Sequence, residues 1–193
     1  MDLADGLLVN SNPTYLMEND MRVKMFLPFA LLLTPAIVLA QGSDNSVVEW
    51  DQIVGVITAP GANNVVAGIS GGAGPWSVRE GHASANLASG QVSFEVRGLV
   101  LNGSNSSGTP GTINSVTGTL VCNPGTGGQT VLDTAEVKLT QQGDAHFRGE
   151  INGIPAPCTN PVFLVRIGPS FTVPGAVGRW LATGAVRTGG DAD

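Results

Sequence analysis

The sequence predicts an all-β fold on three grounds: composition, alternation and turns. Of its 193 residues 12% are charged, about half the usual share of roughly 25%, and its 27 glycines are about twice the usual share of roughly 7%. Residues 91–101 alternate apolar Val92, Phe94 and Val96 with polar neighbours, the period of a strand with one buried face. Similar short segments are separated by Gly, Pro and Asn turns. They predict an antiparallel β-sandwich (Greek-key or immunoglobulin-like) or a closed barrel of about eight strands, after an N-terminal signal helix.

The N-terminal region has the pattern of an export signal. Arg22 and Lys24 precede an apolar run over residues 25–40, which ends with Leu39 and Ala40 just before Gln41. The run is about 16 residues long, short of the roughly 20 that a membrane-spanning helix needs. We therefore expect cleavage after residue 40 and a secreted, extracellular or periplasmic protein. A retained anchor is the alternative.

The segment before Met21 does not suit a signal peptide, because all four of its charged residues are acidic. Met21 is a natural start of translation, and residues 1–20 are then a mis-annotated extension. The alternative is that translation starts at Met1. The predicted division is an extension over 1–20, a signal peptide over 21–40, a flexible leader over 41–46, a β domain over 47–186 and a disordered tail over 187–193.

Charge limits the partners that the mature chain can have. Residues 1–40 carry four acids and two bases, so their removal changes the formal charge from −6 to −4. Seven scattered basic residues provide no stripe for phosphate contacts, so nucleic acid is excluded as a partner. We expect no cofactor, no membrane span in the mature form, and a protein or glycan ligand.

Two cysteines, Cys122 and Cys158, remain after the signal. In an exported protein an even cysteine count predicts a disulfide, and two cysteines allow one pairing. Two thiols without a nearby histidine are too few ligands for zinc.

Two hairpins are expected along the chain. Residues 81–87 and the strand that begins at Gln91 are joined by a short turn at 88–90. Residues 131–139, with Thr134, Glu136 and Lys138 facing water, and residues 145–151 are joined by a turn at 141–144. Residues 161–167 form an almost continuous apolar run, which predicts a central strand covered on both faces.

Little of the mature chain is suited to catalysis. His82 and His146 are its two histidines, and either could in principle serve a hydrolase, or bind copper or zinc with a carboxylate such as Glu80 or Asp144. A histidine on the wet side of a strand is more often a solvated surface residue. We predict no catalytic residue and no metal ligand.

The candidate binding residues are Trp76, Arg79 and His82, where an aromatic ring, a base and an imidazole cluster after a Gly/Pro loop. An exposed tryptophan could stack on a sugar ring or on an apolar patch of a partner. Trp50 and Trp180 are expected in the core. Loop residues 68–79 are thus the predicted contact surface.

A polar loop over residues 102–111 carries two N-glycosylation sequons, which begin at Asn102 and Asn105. They matter only in a host that glycosylates, and the sequence does not identify the host.

Several segments resemble a group of small exported bacterial β-sandwich proteins of unassigned function. They are residues 59–76, the Val-Arg-Gly-Leu run at 96–99, the two cysteines and the Trp-x-Ala-Thr-Gly run at 180–184. The resemblance implies an exported β domain and no particular activity. The glycine-bounded strand ending in Gly-Leu is also similar in pattern to the CHRD domain, a secreted β module, but the histidine-bearing segment of that domain has no counterpart after Leu99. We expect an exported, non-catalytic binding or structural module; the alternative is a secreted metalloprotein or hydrolase that uses His82 or His146.

Overall fold

The computed structural model describes residues 46–58, 63–103, 105–173 and 176–189. The predicted extension, the signal peptide and nearly all of the leader lie outside the described residues. The part that the structure describes forms eleven β-strands. They are Val47–Gly55 (β1), Trp76–Ser77 (β2), Glu80–Asn86 (β3), Gln91–Arg97 (β4), Val100–Leu101 (β5), Ser115–Cys122 (β6), Thr130–Asp133 (β7), Val137–Lys138 (β8), Ala145–Glu150 (β9), Val162–Ile167 (β10) and Trp180–Gly189 (β11).

Nine of these strands form one curled antiparallel sheet. Its spatial order is β7-β6-β10-β11-β1-β3-β4-β9, and β8 also pairs with β6. Three strands separate β4 from β10 in this order, yet the rings of Phe94 on β4 and Phe163 on β10 are 5.7 Å apart between centroids. The sheet therefore curls into a half-barrel around an aromatic core. The remaining pair, β2 and β5, forms a two-stranded ribbon. The prediction of an all-β, antiparallel fold is confirmed.

The strand that the alternation pattern singled out lies in this core. Val92, Phe94 and Val96 are at most 2% exposed, whereas the residues between them are partly exposed. β4 pairs with β3 in the expected hairpin and with β9 on its other side. β10 is confirmed as a strand covered on both faces, because three consecutive residues, Phe163 to Val165, are fully buried.

The predicted hairpin of residues 131–139 with 145–151 is wrong. β8 pairs with β6, and β9 pairs with β4. The turn between β8 and β9 is bonded to the two residues that follow β4. Leu99 N–H donates to Gly143 O (2.8 Å), and Gly98 N–H donates to Asp144 Oδ1 (3.0 Å). A Cβ at Gly143 would lie 2.6 Å from Leu99 N, so this approach needs glycine. These distant contacts direct β9 onto β4.

The predicted single strand over residues 131–139 is split into β7 and β8 around Thr134. We expected Thr134 to face water, but it is 6% exposed. Its hydroxyl accepts a hydrogen bond from Gly118 N–H (3.0 Å), and its own N–H donates to Gly118 O (2.8 Å). The side chain thus satisfies a β6 donor where the ladder is interrupted.

Cys122 at the end of β6 and Cys158 before β10 form the predicted disulfide. At the C-terminus, β11 continues to Gly189, so residues 187–189, which we assigned to the tail, pair with β1. No helix in the described ranges is long and apolar enough to cross a membrane.

Candidate functional site

An apolar cleft of about 410 Å³ opens where the β2–β5 ribbon meets two loops, one before β6 and one between β10 and β11. We call it the Trp76 cleft. Its large apolar walls are Trp76, Leu101, Ile113, Ile167, Phe171 and Leu181. The wall residues come from five separate segments of the chain, so the cleft exists only in the folded protein.

The position of Trp76 is set by the backbone of Gly55, the last residue of β1, and of Val56, which follows it. Trp76 N–H donates to Val56 O (2.8 Å), and Trp76 pairs with Leu101 across the ribbon. Gly55 lies directly against the backbone of Trp76: a Cβ at residue 55 would overlap Trp76 O and lie 2.9 Å from Ser77 Cα. Glycine at this position lets the ribbon pack closely on the main sheet.

The indole of Trp76 presents a polar atom to an otherwise apolar space. The residue is 5% exposed and lines the cleft. Its Nε1 donates to no described residue, and no fully buried side-chain nitrogen or oxygen of the described residues lacks a partner, so this N–H faces accessible space. Trp180, in contrast, donates its Nε1–H to Asn64 O (2.9 Å). Trp76 can therefore donate a hydrogen bond to a bound molecule.

The loop between β10 and β11 supplies Phe171 and Val173 to the cleft and is anchored at its start by Glu136. The hydroxyl and the backbone N–H of Ser170 both donate to the Glu136 carboxylate. The pKa of Glu136 is lowered below its ordinary value, mainly by the hydrogen bond from Ser115 and next by that from Ser170. The ionised carboxylate thus ties this loop to the segment before β8.

The same loop ends at Arg179, the one charged residue among the described residues that line the cleft. Its Nη1 donates to Gly71 O at 3.1 Å. A Cβ at the next residue, Gly72, would lie 3.2 Å from Trp76 Nε1. The guanidinium therefore contacts Gly71, and the indole N–H lies close to Gly72.

The structure separates Trp76 from the other two candidate binding residues. Arg79 and His82 are exposed and lie on a different depression, lined by residues 51–54 and 78–82. The chain leaves the ribbon after Ser77 and enters the main sheet at Glu80. Closeness in sequence therefore does not bring the tryptophan, the base and the imidazole into one surface.

The two histidines lie in one row on the wet face of the sheet. His82 on β3 pairs with Glu95 on β4, which pairs with His146 on β9. The Glu95 carboxylate is engaged by Arg97 Nε at 2.6 Å. Within the described ranges, no three His, Cys, Asp or Glu side chains are grouped so that they could hold a metal ion.

A Gly-x-Ser-x-Gly spacing occurs at residues 68–72, with Ser70 in the nucleophile position. In hydrolases that pattern marks a strand-to-helix turn. Here Ser70 lies in a loop whose backbone bridges to Trp180, since Trp180 N–H donates to Ser70 O (3.1 Å), and no helix follows it among the described residues. Of these five residues, Gly72 lines the cleft.

Sequence patterns missed most of the cleft, including Leu101, Ile113, Phe171 and Arg179. The available signal was weak: apolar residues at the borders of Gly/Pro/Ser loops, where solvated side chains are the norm. Comparison with protein-family models, with curated proteins and with solved structures finds no match to this chain.

Proposed function

We propose that the chain is an exported, non-catalytic binding module that takes a small apolar molecule into the Trp76 cleft. The observation that carries this proposal is the cleft itself, a space of about 410 Å³ with mostly apolar walls and a buried tryptophan whose N–H faces accessible space. Small-molecule sites are concave and mainly apolar, with volumes of roughly 300–1,000 Å³ and a few polar groups that orient the ligand.

The residues of the cleft favour binding over chemistry. The described residues that line it supply aromatic and aliphatic side chains, one hydroxyl from Thr112 and one guanidinium from Arg179. General acid–base catalysis would use a histidine or a carboxylate near the reacting atoms. The predicted protein or glycan ligand would enter this cleft through an apolar group.

Export is supported by two features. The disulfide between Cys122 and Cys158 suits an oxidising compartment, and the apolar run before Gln41 suits an export signal. A curled antiparallel sheet with loops at its ends is a common scaffold for such binding sites.

Filling the cleft tests the proposal. Wild-type protein would be titrated with the neutral fluorescent probe N-phenyl-1-naphthylamine, which gains fluorescence in apolar surroundings. We expect saturable binding by the wild type, and at least tenfold weaker binding by Ile113→Trp, whose added ring occupies the cleft. Val131→Trp is the matched control, because Val131 is 43% exposed on β7 and does not line the cleft.

Thr112→Trp provides a second filling variant at an exposed position of the same wall, in case Ile113→Trp does not fold. Equal probe binding by wild type and by a filled variant with a native melting transition would overturn the proposal.

A further inference from the structure

The position of Arg179 in the Trp76 cleft is held on both sides by backbone hydrogen bonds. Its N–H donates to Ala176 O (3.2 Å), and its carbonyl accepts from Ile167 N–H (2.9 Å). The side chain is partly buried, and the bond from Nη1 to Gly71 O fixes the guanidinium at the wall. The positive charge is therefore placed by the fold at a defined point of the apolar cleft.

A positive charge in a mostly apolar cleft favours a ligand with a negative charge. Electrostatic attraction strengthens as the local dielectric constant falls, and the described lining residues include no acid to repel an anion. A cationic ligand would be repelled by Arg179. An anionic head group in the cleft could accept hydrogen bonds from the Arg179 guanidinium and from the Trp76 N–H, since both residues belong to its lining. Hydrogen bonds to charged groups are stronger than those between neutral groups.

The volume of the cleft limits the size of the apolar part of the ligand. An apolar cavity of about 150 Å³ takes a benzene ring of six carbons. On that scale the cleft of about 410 Å³ takes on the order of 15 non-hydrogen atoms. A single acyl chain of about 10 to 14 carbons with a carboxylate has this size.

We infer that the Trp76 cleft binds an anionic amphiphile, a free single-chain carboxylic acid whose head group is bound by the Arg179 guanidinium and the Trp76 N–H. This inference rests on the proposed function and names its ligand class. The apolar body contacts Phe171, Ile113 and Leu181, and the carboxylate accepts hydrogen bonds from Arg179 and Trp76.

The experiment compares three ligands that share one chain and differ in head-group charge: decanoate, decanol and decyltrimethylammonium. Each displaces N-phenyl-1-naphthylamine from the wild-type protein at pH 8, below its micelle concentration. We expect decanoate to bind about tenfold more tightly than decanol, the lower end of what one charge-assisted hydrogen bond contributes, and the ammonium to bind most weakly.

Arg179→Gln should abolish the preference for decanoate over decanol. Arg79→Gln is the matched control, because Arg79 is an exposed arginine outside the cleft, and should keep the wild-type preference. Trp76→Phe keeps an aromatic ring without the N–H donor and should reduce the preference about threefold or more. If Arg179→Gln does not fold, Arg179→Lys, which keeps the charge, should keep part of the preference.

The possible failures are distinguishable. Equal displacement by decanoate and decanol, unaltered in Arg179→Gln, overturns the inference and leaves the proposed function standing. No displacement by either ligand, together with failure of the filling variants to affect the probe, overturns both. Sedimentation velocity that shows a ligand-free dimer with the probe excluded assigns the cleft to a second copy and overturns the inference. Preference for vesicles of phosphatidylglycerol over free decanoate overturns it as well.

Discussion

Gly118 on β6 lies against the ring of Phe94 on β4, so closely that a Cβ at residue 118 would be 2.7 Å from Phe94 Cε1. The same atom would lie 2.9 Å from Phe163 Cζ. Two strands on opposite sides of the curled sheet thus meet through a glycine and two rings that are tilted against each other. The curl depends on this missing side chain, because the rings fill the space that a methyl group would take.

Gly118→Ala should therefore destabilise the protein by about 1–3 kcal/mol, the usual cost of overpacking a filled core. Urea unfolding followed by tryptophan fluorescence measures the change. Gly127→Ala is the control, since a Cβ at residue 127 meets no atom within 4 Å, and we expect it within about 0.5 kcal/mol of wild type. Equal stability of the two variants would show that the rings can move aside and that the curl does not depend on Gly118.

Removing the disulfide tests how strongly the bridge constrains the unfolded chain. Cys122 and Cys158 are 36 residues apart, and for a closed loop of that length the chain-entropy treatment gives about 4 kcal/mol of stabilisation. The Cys122→Ala/Cys158→Ala variant should lose about that amount in urea unfolding. Wild-type protein under reducing conditions is the matched comparison and should approach the variant. A reduced wild type that unfolds at the oxidised midpoint would contradict the expectation.

Local alternation predicted the strands more reliably than their partners. The burial of Val92, Phe94 and Val96 follows from a period of two in the sequence, which needs no knowledge of the fold. The pairing of β9 with β4 instead of β8 depends on Gly98 and Asp144, which are 46 residues apart. No local pattern reports a contact of that range, so the short turn at 141–144 suggested a hairpin that does not form.

The predicted contact surface, residues 68–79, supplies Gly72, Ala73, Gly74 and Trp76 to the cleft, and the sequence predicted none of its other walls. Trp76 was recognised as an aromatic residue after a Gly/Pro loop, but its neighbours in sequence, Arg79 and His82, face a different depression. Its neighbours in space, Leu101 and Phe171, are separated from it by 25 and 95 positions. Their convergence depends on the ribbon docking onto β1, which becomes apparent only when the sheet is assembled.

That docking can be tested at Gly55, which is outside the cleft. In Gly55→Ala the new methyl group would overlap the backbone of Trp76, and a backbone cannot rotate away as a side chain can. We expect a loss of about 1–3 kcal/mol in stability and weaker binding of N-phenyl-1-naphthylamine, because β2 must shift. Gly128→Ala is the control, with its nearest contact a side-chain oxygen at 3.8 Å. If Gly55→Ala bound the probe as tightly as the wild type does, the ribbon and the cleft would not depend on the close contact between Gly55 and Trp76.

From the hydrogen bonds that Glu136 accepts, we predict that acid weakens the anchoring of the loop beside the cleft. Since hydrogen bonds from Ser115 and Ser170 lower the pKa of Glu136 in the folded protein, the carboxylate contributes stability above its unfolded pKa of about 4.3. That contribution is lost as pH falls through the lower folded value. Glu136→Gln should be less stable than wild type at pH 7, and the difference should shrink as pH falls below about 4.

Urea midpoints at pH 7, 5, 4 and 3 measure this difference, and Ser170→Ala, which removes one donor to the same carboxylate, should reduce it in part. Because Ser170 precedes Phe171 in the wall of the cleft, binding of the neutral probe should weaken in Glu136→Gln at pH 7 as well. A constant stability difference between wild type and Glu136→Gln from pH 7 to pH 3 would mean that the carboxylate's charge does not anchor the loop. The Phe171 wall would then be held by the backbone bonds from Phe171 N–H to Gly168 O and from Gly178 N–H to Ile167 O, neither of which titrates.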